Sequence, residues 1–484
     1  MAGMEPEPPA FYHPRNPRES PLYRLIEEHY AEFERCYPEH YQAHYGFFRP
    51  VIHKAVHEFL KCGDLREGFA RVRCPDCRHE FYVAYSCKQR CVCPTCHQKR
   101  SLVTAMHIAQ DISAPVPHRQ FVFTMPKRFR VYFRFNRDLL RLLPPLAWET
   151  VRDVYRATLN QPDATPGMTV GIQTHGSLAN WHPHLHAIVT DGAFTPDPSA
   201  CGHAQAGAAF LPMPDIPSEP FLRLWEEKLF GLLLAEGRIT PETVQQMRSW
   251  QHSGFSVDTS VRIAAGDTAA IERLTQYIVR CPFSLDRIIS LTPDGKVIYR
   301  AENPDCRHFP KLGDHRLTAG VNRNFEVFDP LDFIAEITQH IPDPGAQQIR
   351  YYGWYSNAAR GRRAKLAKIA NPAPPPPVTP LTDDEEDADT PYRKKCRQRW
   401  AALIKKVYEI NPLLCPKCGG QMKIITFLER RHQAATIQRI LKHCGRWEDP
   451  VPHATPGPAP PPEPFHLDPE YVNEDDFLAA LGAN

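Results

Sequence analysis

The chain has 484 residues, too many for a single hydrophobic core, so we expect several folded units joined by linkers. Hydrophobic residues make up 42% of it, yet no apolar run reaches the roughly 18 residues of a membrane-spanning helix, which argues against a membrane protein. The first residues resemble no secretory signal, so we expect a cytoplasmic protein whose paired cysteines bind metal instead of forming disulfides. The net charge of +3 is too small to indicate nucleic-acid binding without local basic stretches.

Proline-rich stretches divide the chain into units. The sequence contains 50 prolines, and many fall in 371–391, beside an acidic block, and in 450–464, where regular structure cannot form. We therefore predict a flexible tail at 1–20, a helical and zinc-binding domain at 21–112, a central domain at 113–368, a proline-rich acidic linker at 369–394, a C-terminal module at 395–449 and a tail at 450–484.

The first unit combines helices with a cysteine cluster. Apolar residues recur at helical spacing between Leu22 and Leu60, which predicts two helices. Further along, two Cys-x-x-Cys pairs have the spacing of a tetrahedral zinc ribbon, in which four thiolates fill the shell about 2.3 Å from the ion. We expect a structural zinc held by Cys74, Cys77, Cys93 and Cys96. A mixed ligand set or a second ion is left open by five nearby residues: Cys62, Cys87, Cys91, His79 and His97.

The central unit alternates between strand and helix patterns. RQFVFTMP predicts a short buried strand, and Leu139 to Leu159 predicts a helix. MTVGIQTHG and HLHAIVTDG predict two strands rich in apolar and β-branched residues, and helical spacing returns from Ala269 to Arg280. This alternation is typical of an α+β fold.

The second of these strands carries a histidine pair. His184 and His186 are two residues apart, so on a strand both imidazoles project from the same face. Histidines without cysteines suit an ion that keeps open positions for phosphate oxygens and water. Ordinary hydrogen bonding at the start of a strand is the alternative explanation.

Tyr277 lies on the following helix, between an apolar stripe and the basic residues Arg273 and Arg280. A phenol, with a pKa of about 10, becomes a useful nucleophile only when a cation stabilises the phenolate or polarises the group under attack. Taken alone, such a tyrosine is more often a core residue. In combination with a metal-binding pair it becomes a candidate nucleophile.

Two stretches have the composition of a binding surface for single-stranded nucleic acid. In KRFRVYFRF, basic residues that hold phosphates alternate with aromatics that stack on bases, and a solvated basic face is equally consistent. The residues concerned are Lys127, Arg128, Arg130, Tyr132, Phe133 and Arg134. The second stretch, residues 350–365, contains Tyr351 and Tyr352, which compete with Tyr277 as nucleophiles.

A lone Cys-x-x-Cys pair occurs near the C-terminus. Cys415 and Cys418 form half of a zinc ribbon, and either metal binding or an unmetallated turn before Gly419 is consistent with this pattern. Three residues are available to complete the shell: His432, His443 and Cys444.

These segments together resemble the HUH-type tyrosine transposases of rolling-circle insertion sequences, a family named for two histidines that flank a hydrophobic residue. The resemblance covers roughly four-fifths of the chain, and its N-terminal part looks like the family's zinc-binding domain. It rests on RCPDC, SCKQR, CPTC, FVFTMP, NWHPHLHAIVTDG, QYIVRCPFSLDRI, FDPLDFIAEITQHIPDPG, RYYGWYSN and CPKCGG.

The resemblance implies that residues 113–368 form a nuclease domain built on an antiparallel sheet with packed helices. It implies that His184 and His186 hold Mg²⁺ or Mn²⁺ while Tyr277 attacks a DNA phosphate, which leaves a 5′-phosphotyrosine and a free 3′-hydroxyl. The implied partners are single-stranded DNA at the ends of the protein's own element and target DNA, in the cytoplasm at the nucleoid.

In one respect the chain departs from part of the family. Some members have two catalytic tyrosines four residues apart, and Arg273 stands where the first would be. Either Tyr277 acts twice or two subunits of a homodimer each supply one tyrosine. The third metal ligand also stays open among four residues: Gln173, His175, Gln276 and Cys281.

Two other functions account for part of the sequence. A non-enzymatic zinc-dependent DNA-binding protein explains the cysteines and basic stretches, and leaves the histidines structural. A histidine-triad nucleotide hydrolase explains HPHLHAIV, but neither Tyr277 nor the cysteines.

Overall fold

The computed structural model describes residues 17–196, 208–292, 295–302, 324–370 and 413–447. The predicted proline-rich linker, apart from its first two residues, and the C-terminal tail lie outside these residues, as do residues 1–16 of the predicted N-terminal tail. The helices are α1 Pro21–His40, α2 Gln42–Tyr45, α3 Pro50–Leu60, α4 Pro94–His107, α5 Arg130–Phe135, α6 Leu143–Leu159, α7 Glu219–Ala235, α8 Pro241–Arg248, α9 Thr268–Ile278, α10 Pro330–Thr338, α11 Asn357–Ala370 and α12 Arg430–His443. The strands are β1 Gly68–Arg73, β2 Glu80–Ala84, β3 His118–Thr124, β4 Gly167–His175, β5 Trp181–Thr190, β6 Gly192–Pro196, β7 Ala208–Pro212, β8 Ser256–Asp258, β9 Arg262–Ile263, β10 Ile288–Leu291, β11 Val297–Arg300, β12 Phe325–Phe328, β13 Ile349–Gly353 and β14 Lys423–Glu429.

A six-stranded sheet forms the centre of the molecule. Its order is β13-β4-β5-β3-β8, with β9 also paired to β3, and every pairing is antiparallel. The predicted strands RQFVFTMP, MTVGIQTHG and HLHAIVTDG correspond to β3, β4 and β5, so these predictions are confirmed. Mixed helices and antiparallel sheet make this the α+β architecture that the sequence predicted.

Both faces of this sheet are covered by helices. Because side chains alternate along a strand, Leu185, Ala187 and Val189 of β5 enter a large core with α6 and α7. Ile188 points the other way, into a smaller core with Ile271 and Ile278 of α9. Strand β5 is therefore buried on both faces, and its second face lies beneath α9.

The N-terminal helices belong to a separate core. Helices α1 and α3 pack with α10, strands β11 and β12, and the cysteines around Cys93. The two predicted helices of this region are confirmed, with the short α2 between them. Pro38 lies inside α1 near its C-terminal end and does not stop the helix.

A three-stranded sheet joins the predicted zinc-binding domain to a segment of the C-terminal module. Its order is β14-β1-β2, so β14 of the predicted C-terminal module pairs with β1 of the N-terminal domain. Helix α12 covers this sheet, with Ile437 and Leu441 packed on Phe69 and Tyr82. Within the described ranges, no helix is long and apolar enough to span a bilayer.

A candidate metal and nucleophile site on the central sheet

Two histidines of β5 converge on one point. The Nε2 atoms of His184 and His186 are 3.0 Å apart. Two adjacent ligands at roughly 2.1 Å from an octahedral ion would be about 3.0 Å apart, so the spacing fits a divalent cation. The Nδ1 of His184 lies 2.7 Å from the carbonyl oxygen of His182, and the Nδ1 of His186 lies 3.0 Å from the side-chain nitrogen of Gln120. Metal binding through His186 Nε2 requires the Gln120 amide to turn its oxygen to this Nδ1, which then donates the ring proton. These contacts orient both rings with their Nε2 atoms directed at the same place.

Both histidines are buried and therefore uncharged. Burial lowers the pKa of His184 to about 4, and nearby positive charge on Arg130 and Arg280 adds to this effect. Burial also lowers the pKa of His186 to about 3. Neutral imidazoles keep a lone pair free for a metal ion at physiological pH.

Gln173 is the best-placed of the four candidates for a third ligand. It lies directly opposite His184 in the β4–β5 pairing, so both side chains share one face. Its Nε2 donates to the carbonyls of Tyr277 and Ile278, at 2.9 and 2.8 Å. Its Oε1 is buried and has no hydrogen-bond partner among the described residues, so it is free to bind an ion.

The other three candidates have different surroundings. The ring of His175 lies further along β4, 6.0 Å from that of His340, and its Nε2 is also buried without a described partner. Gln276 donates to Glu272 at 3.2 Å. Cys281 packs against the core around the N-terminal helices, where burial raises the pKa of its thiol well above the usual value.

Tyr277 adjoins the histidine pair. Its ring meets that of His186 edge-on, with centroids 5.5 Å apart. The guanidinium of Arg280 lies 4.3 Å from the centre of the tyrosine ring and forms an ion pair with Glu302. The side chain of Tyr277 is 42% exposed, so a substrate has access to it. A phenol, a guanidinium and the candidate metal-binding histidines thus lie together.

Helix α9 is held close to the sheet at Gly171. A Cβ at this position would overlap the Ile278 side chain and come within 3.0 Å of Ile349 Cδ1. The absence of a side chain therefore lets α9 approach β4 closely. No pattern in the sequence pointed to this residue.

The predicted zinc-binding domain, through α4, also contacts the end of α9. Ser101 on α4 donates to the carbonyl of Val279 at 2.6 Å, and His97 Nε2 lies 2.8 Å from the same oxygen. Because the backbone N–H of Cys91 donates to His97 Nδ1, the ring proton resides on Nε2 and is donated to Val279. His97, a possible zinc ligand by sequence, uses both ring nitrogens in this way.

A basic cleft runs beside the site. Its volume is about 750 Å³, and it lies between α4, β4, the end of α9 and residues 345–352. Four arginines line it: Arg90, Arg100, Arg280 and Arg350. Positive charge in a cleft attracts a phosphate backbone.

The remaining sequence candidates lie elsewhere. Lys127 and Arg128 occupy a turn after β3, and Arg273 is exposed on α9, one helical turn before Tyr277. Phe133 is fully buried, so the expectation that it stacks on bases is wrong. Tyr352 stacks on Trp148, with centroids 5.8 Å apart, and Tyr351 packs into the core beneath α9.

The four predicted zinc ligands do not form one group. Cys93 and Cys96 converge with Cys62 and Cys87, which we call the N-terminal cluster. Cys74 and Cys77 converge instead with Cys415 and Cys418, which we call the two-end cluster. The expected single set is wrong: strand β2 lies between Cys77 and Cys93 in the chain, and each half converges with cysteines from another segment.

Comparisons with known proteins agree on one class. A family model described as "Putative transposase" matches residues 167–363, and a "Transposase zinc-binding domain" model matches residues 32–125. The chain is 24% identical over 396 residues to the transposase for insertion sequence element IS801 of Pseudomonas savastanoi pv. phaseolicola, covering 78% of this chain and 84% of the relative. It is 26% identical over 347 residues to "Putative transposase y4qJ" of Sinorhizobium fredii, covering 68% and 81%. No solved structure matches the chain significantly.

Proposed function

The chain belongs to the transposase family that these models and relatives describe, and from this premise we propose that it cleaves and rejoins single-stranded DNA through a covalent link to Tyr277. The reaction would serve rolling-circle-type transposition of its own element. The observation that carries the proposal is the position of an exposed phenol against His186, whose Nε2 faces that of His184.

The bond changes follow from the chemistry of a phenol and a phosphodiester. The Tyr277 oxygen attacks phosphorus, and the bond from phosphorus to the 3′ oxygen breaks. The phenol proton is lost to solvent, and the departing 3′ oxygen gains a proton. The 5′-phosphotyrosine conserves the phosphodiester energy, so the reverse attack by a 3′-hydroxyl rejoins DNA without nucleotide hydrolysis.

His184, His186 and the Oε1 of Gln173 would hold the divalent cation, Mg²⁺ or Mn²⁺. When bound, this ion neutralises charge on the phosphate and polarises it. The buried Oε1 without a partner and the facing Nε2 atoms make this donor set suitable. Gln173 also holds the carbonyls at the end of α9, so it would couple the ion to the position of Tyr277.

Arginines would bind the substrate backbone. Arg280 touches the ring of Tyr277 and lines the basic cleft, so it would face the phosphate under attack. Arg273 lies on the same face of α9 as Tyr277, four residues earlier, and would also bind the DNA backbone. Lys127 and Arg128 would contact DNA further from the reacting phosphate. Cytoplasmic DNA at the element's ends and at the target would be the partners.

A single tyrosine leaves two routes for strand transfer. With Arg273 in place of a second tyrosine, either Tyr277 acts twice or two subunits of a homodimer each contribute one. Mixing active chains with Tyr277→Phe chains separates these routes, because activity that falls as the square of the active fraction requires two tyrosines.

The central test uses Tyr277→Phe. Removing only the hydroxyl eliminates the nucleophile and keeps the ring against His186, so the variant should fold and bind DNA but form no covalent adduct. The adduct is measured with single-stranded oligonucleotides from the element's ends, in the presence of Mg²⁺ or Mn²⁺.

The matched control is a Tyr351→Phe, Tyr352→Phe double variant, which should retain the adduct. Mass spectrometry of the trapped peptide identifies which tyrosine carries the nucleotide. A nucleotide on any residue other than Tyr277 contradicts the proposal. Metal-dependent nicking also distinguishes this function from a metal-free histidine-triad hydrolase and from a non-enzymatic DNA-binding protein.

A further inference from the structure

The two-end cluster draws its cysteines from opposite ends of the described chain. Cys74 Sγ lies 3.5 Å from Cys418 Sγ, and Cys77 Sγ lies 3.5 Å from Cys415 Sγ. All four sulfur atoms lie within 4.8 Å of one another. A tetrahedral zinc with bonds of about 2.3 Å places its thiolates about 3.8 Å apart, so the four sulfurs nearly surround an ion already.

The two halves of this cluster have the same backbone geometry. The N–H of Cys74 donates to His79 O at 2.8 Å, and the N–H of Cys415 donates to Gly420 O at 2.9 Å. The N–H of Arg78 donates to Cys74 O at 3.0 Å, and that of Gly419 to Cys415 O at 2.9 Å.

The residue after each second cysteine has a left-handed conformation, with φ of 60° at Arg78 and 71° at Gly419. Arginine is rarely found in this region of φ, so the turn at Arg78 carries strain that a bound ion would offset. The two segments thus have the same type of turn. In each segment this turn directs both thiols of the Cys-x-x-Cys pair to the same side.

We propose that the two-end cluster is a second structural zinc site, which fastens the C-terminal segment to the N-terminal domain. This site is distinct from the N-terminal cluster, whose ligands Cys62, Cys87, Cys93 and Cys96 all lie within the matched zinc-binding domain. With four thiolates the shell is closed, which leaves no position for catalysis.

The surrounding structure shows what a bound ion would stabilise. Strands β1 and β2 alone form a two-stranded hairpin, which is marginally stable in water. Strand β14 adds the third strand, and a small core of Val72, Cys74, Cys415 and Met422 includes two of the four thiols. Holding the C-terminal segment on the N-terminal domain costs conformational entropy, which the binding free energy of a structural zinc would offset.

Metal content tests the proposal on the full chain. The wild type should contain two zinc ions, and Cys415→Ser, Cys418→Ser should contain one. The matched control is Cys444→Ser, which removes an exposed cysteine of the same C-terminal segment outside both clusters and should keep two. One zinc in the wild type, or two in the double variant, overturns the proposal.

A second measurement needs no variant and so is unaffected by misfolding. Cys77, Cys418 and Cys444 are all exposed, so an alkylating reagent should reach each of them in a metal-free chain. In the zinc-loaded chain Cys77 and Cys418 should resist alkylation while Cys444 is modified, and a chelator should remove the difference. Equal modification of the three in zinc-loaded protein contradicts a metal at this cluster.

Discussion

At the scale of single residues, Gln173 connects the parts of the candidate site. Its amide nitrogen bonds to the carbonyls of Tyr277 and Ile278, while its Oε1 remains free beside His184. One side chain therefore both holds the helix of the proposed nucleophile and offers an oxygen to the proposed metal ion. These two roles predict different effects when the residue is changed.

Gln173→Ala should raise the Mn²⁺ concentration that gives half-maximal cleavage by about 10- to 100-fold, as losing a supporting group at a metal site commonly does. Gln173→Glu supplies a carboxylate oxygen and should need less metal than the alanine variant. Metal titrations of the cleavage rate measure this, with His175→Ala for comparison. If His175→Ala shifts the titration and Gln173→Ala does not, His175 is the third ligand.

At the scale of secondary-structure elements, the approach of α9 to β4 determines where Tyr277 lies. Gly171 leaves the space that the Ile278 side chain fills, and Gln173 holds the carbonyl end of the same helix. The packing of α9 therefore affects the proposed reaction, because moving α9 moves the Tyr277 phenol relative to His186.

Gly171→Ala should destabilise the fold by about 1–3 kcal/mol, because the added methyl group overlaps Ile278 in a packed core. Adduct formation should fall as well, since α9 is pushed outward. Gly231→Ala is the matched control, because its Cβ on α7 meets nothing within 4 Å and alanine favours a helix. Denaturant unfolding measures the stability of both variants, and the adduct yield measures their activity. Equal stability of the two variants would show that α9 is not closely packed on β4.

The two buried histidines of β5 should make the stability of the fold depend on pH. The pKa values of His184 and His186, about 4 and 3, lie below the usual 6.5. As pH falls through 6.5, the unfolded chain binds protons that the folded chain does not, so stability decreases down to about pH 4 for His184 and about pH 3 for His186. Each histidine contributes about 1.4 kcal/mol per pH unit at most.

The check is the free energy of unfolding against pH, measured with a chelator present. A His184→Asn, His186→Asn variant should lose less stability between pH 6.5 and 4 than the wild type. His44→Asn, at an exposed position, should behave like the wild type. Identical slopes for all three would contradict the burial of neutral imidazoles.

At the scale of the whole molecule, distant segments share one core around the N-terminal cluster. Cys93 and Cys96 pack with α1 and α3, and also with β11, β12 and α10. From the same region, Ser101 and His97 bond to Val279 at the end of α9. The zinc-binding region is therefore part of the support of the candidate active site.

Cys93→Ser, Cys96→Ser should lower the melting temperature and the adduct yield together, because losing the metal loosens this shared core. Cys36→Ser, on α1 and outside both clusters, should change neither by much. Calorimetry and adduct yield are the measurements. A variant without zinc that keeps full adduct yield would show that the zinc-binding region acts independently of catalysis.

The sequence by itself determined the features that depend on local geometry. Alternation along a strand was enough to place His184 and His186 on one face, and helical spacing was enough to place Tyr277 at the edge of an apolar stripe. A Cys-x-x-Cys pair likewise marks a turn that directs two thiols to one side. Each inference involves residues within a few positions of one another, where backbone geometry leaves few alternatives.

Only the tertiary structure decided which segments meet. Cys74 and Cys77 were predicted to share an ion with Cys93 and Cys96, and the folded chain pairs them with Cys415 and Cys418 instead. The role of Gln173 and the space at Gly171 depend on how β4 lies beside β5 and beneath α9. Strands β1 and β14 pair although they lie more than 300 residues apart, because β14 and α12 bury apolar surface on the sheet of β1 and β2. No local spacing encodes this pairing.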